Sequence, residues 1–171
     1  MNNLKIELTD KERRYASFLS DTALLIQDEC DEISVLANVS AALKEAFGFF
    51  WVGFYLVKEK EGSAPQLYLG PFQGPTACYR IGYGRGVCGS AWQQRQTLVV
   101  PDVEEFPGHI ACSSLSRSEI VVPIFSKEGN VVGVLDIDST ELDTFDDIDR
   151  QYLEQLCQLL TDNLYSSPTT H

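Results

Sequence analysis

Apolar positions recur at helical intervals from Lys11 to Phe47, with Leu19, Ala23 and Ile26 on one stretch and Ile33, Leu36, Val39 and Leu43 on the next. A polar break at Asp28 to Asp31 divides them into two predicted helices. The period then changes. "FFWVGFYLV" and "QLYLGPF" are rich in aromatic and β-branched residues and flank the polar, glycine-bearing "KEKEGSAP", so they predict two antiparallel strands, with "CYRIGYG" as a third. After the glycine turn the pattern predicts a short helix around Ala91 to Arg95, a strand "TLVV" and a long loop, "PDVEEFPGHIACSSLSR". "EIVVPIF" and "VVGVLDID" flank "KEGN" as a hairpin. Asp146 can cap a last helix reaching about Tyr165, with Asp149 completing a capping box. Its stripe of Ile148, Tyr152, Leu156, Leu159 and Leu160 puts Cys157 on or beside packed surface, and "SSPTTH" reads as a frayed tail. Strands bounded by helices at both chain ends predict an α+β fold, an antiparallel sheet covered by N- and C-terminal helices.

A chain of 171 residues with 44% apolar content can bury a core as one domain without disulfides or metal. Its net charge of −12 repels phosphate backbones, and no basic cluster interrupts it, so nucleic acid is not an expected partner. "FGFFWVGFYLV" spans eleven residues, against about eighteen needed to cross a bilayer. The charged start "MNNLKIELTDKERRY" lacks a signal peptide's apolar region, so a cytoplasmic protein with no membrane partner is expected. Five cysteines, at 30, 78, 88, 112 and 157, are odd in number and irregular in spacing. A static disulfide framework is a poor reading, while thiol chemistry stays open.

Two motifs mislead. "GRGVCG" from Gly84 to Gly89 satisfies GxGxxG, yet too few residues precede "TLVV" for the crossover helix a dinucleotide fold requires. These glycines instead permit a tight turn that aims Cys88. "VVGVLDIDSTELDTF" resembles an aspartyl-phosphatase strand, but only 31 residues follow Thr140, too few for that parallel fold. As an EF-hand it fails at the sixth loop position, where Glu141 replaces glycine.

The acidic pair still needs an explanation. With the turn centred on Glu128 and Gly129, Glu119 faces Asp138 across the hairpin and Asp136 lies diagonal on the same face. No lysine or arginine of either strand shares that face, so the cluster is either a solvated hairpin end or a site that wants a cation. A substrate ammonium would serve. Among metals, an all-oxygen set without a nearby histidine suits Mg²⁺ or Ca²⁺ better than zinc. A clustered carboxylate can also be held protonated and act as an acid. Cys112 lies seven residues before Glu119, so a thiol and three carboxylates can converge. Thiolate plus proton donor suits reduction of a weak electrophile such as a sulfoxide, whose oxygen must be protonated as it leaves. A Cys112–His109 dyad is a weaker alternative, His109 serving only to hold the loop.

"WVGFYL", "LYLGPFQG", "ACYRIGYGRGVCGSAW", "DVEEFPGHIACSS", "SEIVVPI" and "GVLDIDS" closely resemble the free methionine-(R)-sulfoxide reductases, which are GAF domains. The resemblance implies one GAF domain over residues 1–171, with a core at about 32–165 and a frayed tail at 166–171. It implies that Cys112 attacks the sulfoxide sulfur and becomes a sulfenic acid, that Cys78 resolves it as a disulfide, and that Cys88 is an alternative or relay thiol. Glu119, Asp136 and Asp138 would hold the substrate's ammonium and sulfoxide oxygen. Trp51 and Tyr55 would wall its methyl group, and backbone N–H groups around Ile110, Ala111 and Cys112 would receive its carboxylate. Cys30 and Cys157 fall outside the pattern and are read as structural. No cofactor and no resident metal is expected. The expected partners are free methionine sulfoxide and a thioredoxin-like dithiol donor, with a homodimer open as the assembly. The rival reading is a GAF ligand-binding or redox-sensing module without turnover.

Overall fold

The first helix starts at a capping box: Thr9 accepts from the Glu12 backbone N–H, and Glu12 accepts in return. In the computed structural model, which describes residues 8–110 and 112–166, this helix, α1, runs Asp10–Ile26. Asp31 caps α2, Glu32–Phe47, which ends on Gly48 in the left-handed conformation (φ 67°). The polar break therefore separates two helices as expected, but their buried faces are Tyr15, Phe18, Thr22 and Ile26, and Val35, Leu36, Val39, Ser40 and Leu43. Ile33, which the helical spacing assigned to the stripe, is instead 54% exposed, because it lies on the first turn of α2, facing outward.

Six strands follow: β1 Trp51–Lys58, β2 Gln66–Gln73, β3 Arg80–Ile81, β4 Leu98–Val100, β5 Ser118–Phe125 and β6 Val131–Ser139. They form one sheet in the order β3-β2-β1-β6-β5-β4, every neighbour antiparallel. No parallel crossover exists in it, which removes the dinucleotide reading of the glycine motif. β3 is shorter than the apolar pattern suggested, since the chain turns away at Gly82 to begin α3, Gly86–Gln94. That helix starts five residues before Ala91, so Cys88 lies in its first turn and not in the turn ahead of it. The long loop contains one short helical turn, Val103–Glu105.

The sheet has two apolar faces. Val52, Phe54, Leu56, Ile120, Val122, Ile124, Leu135 and Ile137 pack against α1, α2 and α4. At roughly 1.5–3 kcal/mol per buried side chain, this face supplies most of the driving force. The last helix, α4, spans Asp147–Leu164 behind the predicted Asp146–Asp149 capping box. Its Asp149, only 2% exposed, accepts from Tyr15 Oη at 2.5 Å and pairs with Lys11, tying α4 to α1. Cys157 is buried on the same helix, whereas Cys30 is exposed. The opposite face carries Trp51, Tyr55, Val121 and Val134 beneath α3 and the long loop. The site lies there. Of the frayed tail, residues 167–171 lie outside the described residues. Among the described residues no helix is long and apolar enough to cross a membrane.

Candidate active site

Strand alternation builds the floor. Glu119 pairs with Asp138 and Val121 with Asp136, the register expected from the turn, while β1 places Trp51 beside Asp138 and Gly53 beside Asp136. Residues two apart share a face, so three carboxyls and the β1 aromatics converge. They are scarcely exposed: 6% for Glu119, 6% for Asp136 and 9% for Asp138. A solvated hairpin end would be open to water, and this one is not. Burial pushes Glu119 well above the usual carboxylate range, followed by the charges of Asp136 and Asp138 and a hydrogen bond with Asp138. Asp136 is raised likewise, by burial and then by Asp138. Asp138 reaches about 6, burial being opposed by the hydrogen bond from Glu119. These shifts favour the proton on Glu119, with its carboxyl hydrogen-bonded to Asp138. Asp136 Oδ1 is buried with no hydrogen-bond partner among the described residues.

The aromatic wall also positions a thiol. Trp51 stacks on Phe72 (5.2 Å between ring centroids) and lies 6.0 Å from Tyr55. Trp51 Nε1 donates to the Pro75 carbonyl at 3.0 Å, and Tyr55 Oη donates to the Cys78 carbonyl at 2.9 Å. Both bonds hold the 75–78 segment over the pocket. There Cys78 is joined to Cys112 by a disulfide closing a separation of 34 residues, with 5.6 Å between Cα atoms, within the usual span.

Cys88 enters from α3. Gly84 and Gly86 both take positive φ (73° and 58°), and a Cβ on Gly89 would fall 2.4 Å from the Gly82 carbonyl oxygen. Glycine is required because the turn folds back onto the helix it starts. Cys88 is consequently buried, and burial and then the charges of Asp136, Glu119 and Asp138 hold its thiol well above the ordinary value. A thiol so held is a poor nucleophile. Cys112, by contrast, is only half-buried.

Trp51, Tyr55, Cys88, Ile110, Cys112, Glu119, Asp136 and Asp138 all line one cavity of about 50 Å³, Cys78 standing behind Cys112 in the disulfide. Ala111 lies outside the described residues. The Cys112 backbone N–H donates to the Ile110 carbonyl at 3.1 Å, so in this disulfide state it is engaged within the loop. His109 also lines the cavity, and partial burial lowers its pKa, so its imidazole is neutral at neutral pH. Sequence reasoning missed Arg85, Gly86 and Val87 at the start of α3, and Ser113 and Ser116 on the loop. The first three were hidden by starting the helix at Ala91. Arg85 is an N-cap without a side-chain cap bond, which leaves the first N–H groups of a nine-residue helix facing the cavity. A half-exposed thiol pair, a protonated carboxylic acid and a cation-seeking floor can together hold a zwitterion, deliver protons to a leaving oxygen and take up two oxidising equivalents.

Residues 31–164 match the family model described as GAF domain. GAF domain-containing protein A of Dictyostelium discoideum is 58% identical over 158 residues, covering 92% of this chain and 97% of its own. The free methionine-R-sulfoxide reductase of Escherichia coli is 45% identical over 148 residues, 86% of each chain. The free methionine-R-sulfoxide reductase of Neisseria meningitidis, solved in complex with its substrate, superposes with a TM-score of 0.86 at 52% identity, covering 95% of both chains.

Proposed function

Because the chain belongs to the GAF-domain family of free methionine-R-sulfoxide reductases, we propose that it reduces free L-methionine-(R)-sulfoxide, with Cys112 as nucleophile and Cys78 as resolving thiol. The observation that carries these roles is the Cys78–Cys112 bond at the edge of a cavity floored by three buried carboxyls.

In the reduced enzyme the Cys112 thiolate attacks the sulfoxide sulfur. Oxygen passes to Cys112, protonated by the carboxyl cluster, and leaves a sulfenic acid and methionine. Cys78 then attacks the sulfenic sulfur, the disulfide forms and the oxygen departs as water. The substrate gains two electrons and the thiol pair loses two. Glu119, which keeps its proton, is the donor; Asp138 and Asp136 hold the ammonium. Trp51 and Tyr55 face the methyl group. The first turn of α3, with Arg85 at the mouth, and the loop N–H groups near Ile110 receive the carboxylate. Cys88 is a neutral reserve thiol. A thioredoxin-like dithiol in the cytoplasm returns the disulfide to thiols.

Single-turnover measurement without reductant tests the assignment. Cys112→Ser should release no methionine, whereas Cys78→Ser should release about one per site and then stall, because the sulfenic acid forms without its partner. The opposite pattern would reverse the roles. Absence of methionine from the wild type would leave a module that binds or senses without turnover.

A further inference from the structure

Cys88 has no step in the reaction just described, yet its position is constrained by three glycines and its thiol points at the acid cluster. Its Sγ, a carboxylate oxygen of Glu119 and a carboxylate oxygen of Asp136 all lie within 4.8 Å of one another. This changes the donor set. Read as carboxylates alone, the cluster suits hard, oxygen-seeking ions, which take six or more oxygens. A thiol among two carboxylates suits a borderline ion that accepts sulfur and oxygen in fourfold coordination. Three converging protein donors with one position left over is the ligand count of an open zinc site. A second observation points the same way: Asp136 Oδ1 is buried against this cluster without a partner among the described residues, and an orphaned buried acceptor is costly. The cavity volume of about 50 Å³ is several times the roughly 10–15 Å³ that one water needs. It accommodates an ion with its remaining ligand.

We propose that the pocket floor is an inhibitory capture site for a zinc-type divalent cation, bound by Cys88 Sγ, Glu119 and Asp136. On binding, the protons of Cys88 and of the protonated Glu119 carboxyl pass to solvent, and metal–sulfur and metal–oxygen bonds replace them. No electrons move, so no further reactant is needed. The ion occupies the place of the substrate's ammonium, and the two exclude one another. Binding is independent of the catalytic reading; only the competition with substrate rests on it.

Co²⁺ is the probe, because a cobalt–thiolate bond gives a near-ultraviolet charge-transfer band that oxygen ligands do not. It is titrated into the Cys78–Cys112 disulfide form, in which Cys30, Cys88 and Cys157 are the remaining thiols. Zn²⁺ affinity is measured in parallel by calorimetry. The band should appear in wild type and in Cys30→Ser and vanish in Cys88→Ser, with Zn²⁺ affinity lowered at least about tenfold there and in Asp136→Asn. Circular dichroism confirms that each variant is folded. If the band survives Cys88→Ser or is lost in Cys30→Ser, or if Zn²⁺ binds the folded variants as tightly as wild type, the proposal is wrong. With the reduced enzyme, free methionine should weaken Zn²⁺ binding. Site-specific Zn²⁺ binding that methionine leaves unchanged overturns the competition while leaving the metal site.

Discussion

Asp138 carries a carboxyl that burial, partly opposed by its hydrogen bond with Glu119, lifts to about 6 from an ordinary 3.8. The native state therefore binds more protons than the unfolded chain between those values. Stability contributed by protonation is full below about pH 4, is lost as pH rises toward 6, and is not regained above it. Glu119 and Asp136 are raised by the same burial and extend the loss to higher pH. Cys88 from α3 and Tyr55 from β1 line the cavity with them and stay neutral, since burial pushes both up, while the cation lining it is Arg85 at the mouth. The substrate-free protein should accordingly melt at a lower temperature at pH 8 than at pH 5.5. Asp138→Asn should flatten that difference and raise the melting temperature at pH 8, while kcat/KM falls at least about tenfold, since a lost charge-assisted hydrogen bond is worth roughly 1.5–3 kcal/mol. Thermal melts across pH, paired with steady-state kinetics, check both. A variant with the wild-type pH slope would mean the carboxyls do not titrate as a buried cluster.

Among the elements, α3 depends most on a single backbone approach. Gly89 N–H donates to the Arg85 carbonyl at 2.8 Å, and the Gly89 carbonyl accepts from Gly84 N–H at 3.0 Å, so the helix start and the turn before it share their hydrogen bonds. A methyl at Gly89 would meet the Gly82 carbonyl oxygen at 2.4 Å, which is backbone and cannot swing aside as a side chain would. Gly89→Ala should then cost about 1–3 kcal/mol through overpacking. That corresponds to a fall in melting temperature of about 2–4 °C per kcal/mol for a chain of this length. It should also impair turnover, because α3 would carry its first-turn N–H groups away from the pocket. Ser90→Ala, one residue along and only half-buried, is the control expected to melt near wild type. Equal melting temperatures for the two variants would show that the turn yields without cost.

For the molecule as a whole, one sheet divides two kinds of work. The face packed on α1, α2 and α4 is continuously apolar, which is what allows the opposite face to bury three carboxyls at a cost to stability. Because the site is roofed by α3 and by His109, Ile110 and Cys112 of the long loop, its ligand must fit inside and bring its own positive charge. A free amino acid carries that ammonium. Inside a peptide the same nitrogen is an uncharged amide, and the chain continues on both sides into walls. Reduction of free sulfoxide should therefore exceed that of a peptide-bound sulfoxide by at least about a hundredfold, combining the lost charge-assisted bonds at roughly 1.5–3 kcal/mol each with steric exclusion. Methionine release followed by chromatography, with the two substrates at matched concentration, tests this. Comparable rates would mean that the cluster does not recognise the ammonium.

Local interactions could be read from the chain before any fold was known. Asp146 caps α4 because a carboxylate three residues ahead of a backbone N–H needs only its own segment. Glu119 faces Asp138 because a short turn sets the register of both strands. The resemblance of motifs added expected residue roles. Other features depended on contacts between segments far apart in sequence. The two-residue β3 and the early start of α3 follow from Gly89 packing on Gly82, a close approach with no periodic signature. Ile33 shows the limit from the other side, since spacing marks an apolar stripe but not which side a neighbouring helix covers. The depth of Glu119, Asp136 and Asp138, the orphaned Asp136 Oδ1 and the arrival of Cys88 beside them arose only in the folded chain. Alternation along a strand chooses a face, while burial of that face is decided by whatever segment closes over it, here the helix between β3 and β4 and the loop between β4 and β5.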